Sequence, residues 1–76
     1  MTMTVERAKQ LLGDVLEIHV RKSIYFGKVE RIQEIHYLGS SKASLILVAP
    51  GSNNHVIDTD LADILKWRIV SGEWET

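Results

Sequence analysis

Gly27-Lys28-Val29-Glu30-Arg31-Ile32-Gln33-Glu34-Ile35-His36-Tyr37-Leu38 is the stretch whose reading decides the fold. Val29, Ile32 and Ile35 recur every third residue, which suits a helix capped by Gly39. The rival reading is a long bent strand that begins at Gly27. The strand is the reading adopted here, and the helix remains its alternative. Glycines at 13, 27, 39, 51 and 72 punctuate the chain evenly, and this spacing favours short strands and short helices over a helical bundle.

Upstream, Ile24-Tyr25-Phe26 is strand-like and ends at Gly27, with Lys22-Ser23 before it as a tight turn or an exposed kink. Asp14 to Arg21 alternates Leu16, Ile18 and Val20 with Glu17, His19 and Arg21, a period of two that predicts a half-buried strand. Thr4 to Leu12 predicts a helix with Thr4 as N-cap, Gly13 at the C-terminal end, and Val5, Ala8, Leu11 and Leu12 on one face. Two turns with so thin an apolar stripe must pack on something, a sheet being the simplest partner.

Downstream, Gly39-Ser40-Ser41-Lys42 is expected to be a hairpin loop, and Ala43 to Ala49 a strand that is apolar on both faces. Ala49-Pro50-Gly51-Ser52 fits a type II turn, with proline second and glycine third. His55-Val56-Ile57 returns as a short strand, Asp58-Thr59-Asp60 caps a helical turn over Leu61 to Leu65, and Lys66 to Val70 closes as a strand with Trp67 and Ile69 on one face. Ser71-Gly72 ends that strand, and Glu73-Trp74-Glu75-Thr76 is loose unless Trp74 docks.

The sum is a mainly β (α+β) domain: four to five antiparallel strands, an N-terminal helix and a helical turn before the last strand. A glycine, an apolar residue two positions on and another three beyond that, as in Gly27-Lys28-Val29-Glu30-Arg31-Ile32, resembles the bent strand of small SH3-like and Sm-like barrels. The helical turn before the closing strand resembles SH3-like barrels as well. The resemblance implies a bulge that switches the inward face of the bent strand, and a closed small barrel. Closure would remove the aggregation-prone edges of a chain that carries Leu45 to Ala49. An open antiparallel sheet with one or two helices on a face is the alternative.

Seventy-six residues allow a single domain, divided as helix 1–13, β core 14–70 and tail 71–76. Apolar residues make up 45% and charged residues 25%, which is globular rather than disordered composition. The absence of cysteine excludes disulfide scaffolds, thiolate zinc sites and cysteine nucleophiles. No apolar run approaches the about 20 residues of a membrane helix, and no secretory signal is visible at the start, so a cytoplasmic domain is expected. A domain this small gains from a partner subunit when it has neither disulfide nor metal.

Motifs for chemistry are missing from the sequence. There is no Gly-x-Ser-x-Gly elbow and no glycine-rich phosphate loop, and a non-enzymatic role without cofactor is expected. His19, His36 and His55 share no short spacing, although His19 and His36 would share a face if their segments paired. Asp58, Asp60 and Asp63 fail the calcium-loop pattern and read as helix-capping acids.

Charge carries more. From His19 to Leu45, five basic residues (Arg21, Lys22, Lys28, Arg31, Lys42) face only Glu30 and Glu34, whereas Asp58 to Thr76 is net acidic, in a chain of net charge -1. Tyr25, Phe26 and Tyr37 interleave the basic stretch. Lysine and arginine neutralise phosphates while aromatics stack on bases, so Arg21, Lys22, Tyr25, Lys28, Arg31, Tyr37 and Lys42 form a candidate binding set for nucleic acid. Opposed charges on one small domain equally suit a protein partner or a second copy, with Trp74 as an anchor. The leading expectation is a protein-interaction or regulatory accessory module that forms a homodimer. A nucleic-acid-binding small barrel is second, and a small subunit of a larger enzyme third.

Overall fold

The computed structural model describes residues 2–76. A six-residue helix α1 (Val5–Gln10) is followed by five strands, β1 (Val15–Val20), β2 (Ser23–Tyr37), β3 (Ser40–Val48), β4 (His55–Asp60) and β5 (Ile64–Ile69), with a one-turn 3-10 helix (Leu61–Asp63) between the last two. All pairings are antiparallel and the sheet order is β4-β3-β2-β1-β5.

The deciding stretch is strand, and it starts earlier than its glycine. Ile24–Phe26 and Lys28–Tyr37 belong to one strand of 15 residues that runs straight through Gly27. The strand pairs first with β1 and then with β3, and its register against β3 slips between Val29 and Arg31. That bulge at Glu30 lets Val29, opposite Leu47, and Ile32, opposite Leu45, both face inward despite their odd spacing. Gly27 sits where β2 leaves β1 for β3, and a Cβ there would lie 2.9 Å from the Val48 carbonyl oxygen and 3.0 Å from Leu47 Cβ. Only a residue without a side chain permits this approach.

Both tight turns fall one residue or more before their expected places. Arg21-Lys22 joins β1 to β2, with Arg21 in the left-handed region at φ 58°. Leu38-Gly39 joins β2 to β3, because Tyr37 pairs with Ser40, so Ser40 to Lys42 belongs to β3 and not to a loop. Leu38 at φ 47° and Gly39 at φ 81° form a type I′ turn, whose twist matches the strands it joins. The Ala49–Ser52 turn forms as read, with the Ser52 N–H donating to the Ala49 carbonyl at 3.1 Å and Gly51 at φ 80°.

The core lies on the inner face: Leu16, Ile18 and Val20 of β1, Val29 of β2, Leu45 and Leu47 of β3, Ile64 and Trp67 of β5, with Leu61 and Met3. Helix α1 adds Ala8 and Leu11, and the Thr4 hydroxyl caps it by accepting from the Arg7 N–H at 3.1 Å. Leu12, expected on the same stripe, is 49% exposed, because the helix ends before it and Gly13 (φ 85°) turns the chain toward Val29. Ile46 and Val48 are also buried, yet on the outer face, flanked by Arg31, Asp58, Lys28 and His55 in register. Neither α1 nor a second subunit is needed to bury the second face of β3.

Closure differs from the barrel expectation. Among the described residues no ladder joins β4 to β5, so the sheet curls but stays open. The β5 edge is taken instead by the tail: the Trp67 N–H donates to the Glu75 carbonyl at 2.9 Å, and the Glu75 N–H to the Trp67 carbonyl at 2.6 Å. The capping assignment of the aspartates also changes. Asp58 and Asp60 are strand residues, and Asp60 holds the N-cap position without capping, its carboxylate bound to the Ser44 hydroxyl and Lys42.

Two substitutions test this account. Gly27→Ala is expected to force β2 and β3 apart and lower stability by about 1–3 kcal/mol in urea unfolding. Leu38→Asn is expected to raise stability by about 0.5–1 kcal/mol, since asparagine tolerates the left-handed region far better than leucine.

Candidate interaction surface

Strand alternation divides β2 cleanly. Its inward residues meet the core, whereas Ile24, Phe26 and Lys28, then past the bulge Arg31, Gln33, Ile35 and Tyr37, line the outer face. Ile24 (59%), Phe26 (49%), Ile35 (49%) and Tyr37 (71%) are exposed along this single strand, and Leu38 (88%) extends the row into the turn.

Beside Ile24 and Phe26, β1 presents His19 and Glu17, and β5 presents Lys66 and Arg68 in the next row. Trp74 folds back over these two strands. Its ring lies 4.8 Å from Lys66 Nζ, 4.8 Å from Arg68 Cζ and 4.8 Å from the His19 ring, which meets it edge-on at 82°. Arg68 Nη2 donates to Glu17 Oε1 at 2.9 Å. Cations against an indole face and a carboxylate hold the ring without a partner chain.

The tail is therefore ordered, and a second contact secures it. Arg7 Nε and Nη2 donate to Glu75 Oε1 and Oε2 at 2.8 and 2.6 Å, a two-pronged pair that joins α1 to the tail. The hydrogen bonds from Arg7 hold the Glu75 carboxyl below the usual carboxylate range, partial burial opposing them, and Arg7 is raised in return by its hydrogen bond to Glu75.

The residues singled out by sequence do not form one site. Lys28, Arg31, Tyr37 and Lys42 lie on the outer face of β2 and β3. Arg21 and Lys22 sit in the turn at the opposite end of β2 from Tyr37, and Arg21 lies 3.8 Å from Asp63. Tyr25 is opposite Ile18 and packs, partly buried, against the core on the face away from Lys28 and Arg31. Lys42 is paired with Asp60 at 3.2 Å. Trp74 packs on Lys66, Arg68 and His19 of its own chain. Ile46 and Val48, the outward apolar positions of β3, are buried within the monomer. His19 and His36 face opposite sides, and among the described residues no group of three histidines or carboxylates is placed to hold a metal. Sequence reading missed Ile24, Phe26, His19, Lys66 and Arg68 as one cluster, because three strands and the tail bring them together. The one available signal was the alternation of Ile24 and Phe26 with inward Tyr25.

The fold and face define a small open antiparallel-sheet domain with a cation-rimmed apolar outer surface. No family model matches the chain, and no curated protein or solved structure matches it either. Among the described residues no helix is long and apolar enough to cross a membrane.

The clasp sets a pH dependence. Glu75 titrates lower in the folded state than in the unfolded chain, so its contribution is present above the unfolded carboxylate value and is lost as pH falls through the folded one. Amide exchange at Trp67 and Glu75 is expected to accelerate as pH is lowered through that window, after correction for the intrinsic rate. Glu75→Gln is expected to show the faster corrected exchange already at neutral pH.

Proposed function

We propose that this chain is a non-enzymatic interaction module, self-associating, that binds other polypeptides through the outer face of β2. The observation that carries this reading is the row Ile24, Phe26, Ile35, Tyr37 and Leu38, large apolar side chains left exposed along one strand and its turn. Large apolar side chains left exposed in groups at the two ends of one strand, Ile24 with Phe26 and Ile35 with Tyr37 and Leu38, support an interaction surface on a small domain. The strand order, the bulge and the one-turn helix before β5 support placing the domain with SH3-like small barrels, opened along β4 and β5 instead of closed.

A second reading has its own observation. Lys28 and Arg31 stand in the middle of the same face, and among the described residues neither is in an ion pair. A nucleic-acid strand along β2 would meet both. Its affinity would fall steeply with salt and on charge reversal at these two positions.

Light scattering on the purified chain over a concentration series tests the leading reading. The wild type is expected to give a dimer or larger species that persists at high salt, and Ile35→Lys with Tyr37→Lys to give a monomer with an unchanged thermal midpoint. A wild type that stays monomeric throughout would overturn self-association. Co-eluting nucleic acid that leaves at high salt would favour the second reading.

A further inference from the structure

The end of β2 nearest the Arg21-Lys22 turn differs from the end nearest Leu38. Trp74 stands above β1 and β5 as a wall, and Ile24 and Phe26 lie exposed at its foot, one strand away through His19 and Glu17. The charges on this shelf are uneven. Lys28, Lys66 and Arg68 share it with Glu17, and Arg68 already neutralises that carboxylate. Lys28 and Lys66 are left without an ion pair among the described residues. The rest of a chain whose net charge is -1 is correspondingly acidic.

We infer that this shelf takes an acidic polypeptide segment bearing a large apolar side chain, the side chain seated on Ile24 and Phe26 and its carboxylates facing Lys28 and Lys66. The inference rests on the interaction-module reading and names the partner of one part of that surface. Complementary charge at the rim of an apolar anchor gives orientation and specificity. A single-stranded nucleic acid fits this shelf less well. Stacking along a strand needs a series of free rings. Here Trp74 already has Lys66, Arg68 and His19 against it, Tyr25 packs inward and Tyr37 is at the far end of β2, which leaves Phe26 alone.

The test uses the full chain and a fluorescent synthetic peptide in which Glu and Asp flank one Phe-Leu pair, read by anisotropy. Saturable binding is expected, weakened about tenfold or more by Phe26→Ser and, independently, by Lys28→Glu with Lys66→Glu. Both changes are at exposed or half-buried outer positions, and unchanged thermal unfolding of each variant verifies its fold. The same peptide with Lys in place of its acids, or with Ser in place of Phe-Leu, is expected not to bind. No saturable binding, equal binding of the basic peptide, or tighter binding of an oligo-dT strand would each overturn the inference. So would loss of self-association on reversing Asp58 and Asp60 if Phe26→Ser causes the same loss, since the occupant would then be a second copy. If the peptide fails while Ile35 and Tyr37 still govern self-association, this partner assignment falls and the module reading stands.

Discussion

A strand longer than the core it lines must either carry part of itself away from that core or change the side it shows to it. β2 does both, and the bulge at Glu30 is where it changes. Up to Lys28 the strand pairs with β1, and from Lys28 onward, on both sides of the bulge, it pairs with β3. The single extra residue keeps Val29 and Ile32 on one inner surface and directs Lys28 and Arg31 outward together. Gly27 completes the device by letting the corner of β3 come within the space a methyl group would need. Without that bend, Leu45 and Leu47 could not lie over the same core as Leu16 and Ile18.

The bend also explains why the surface is unusual. β2 continues beyond the core toward Tyr37, where inward positions such as Glu34 and His36 are themselves exposed and meet only the flank of α1, Lys9 lying 3.9 Å from Glu34. The outer positions of the same arm, Ile35 and Tyr37, are 49% and 71% exposed. Ile46 and Val48 at mid-sheet are closed off by long polar neighbours. On β2 the exposed apolar side chains thus stand toward the two ends of the strand, with Lys28 and Arg31 between them.

Elements with a strict local signal were legible in the sequence. The alternation in β1, the Thr4 cap, the proline-glycine turn and the apolar run of β3 each carry their own physics within a few residues. The odd spacing from Val29 to Ile35 was ambiguous because a bulge and a helix both bring such residues to one side. Turn placement failed by one or two residues, since arginine and leucine in left-handed positions give no glycine-like signal at Arg21 and Leu38. Openness of the sheet was not legible, because local patterning does not say whether β4 and β5, the two ends of the strand order, pair with each other. For the same reason the charged residues looked like one patch in sequence and are spread over two ends and a middle in space.

The pairing of Arg7 with Glu75 has a mechanical side. The first helix and the last residues are fastened to each other and to β5, so whatever is attached to either end leaves from one corner of the molecule. A pull applied through both ends would meet that fastening before any strand of the core. It would peel the tail from β5 one bond at a time, uncovering a sheet edge while β1, β2 and β3 remained intact.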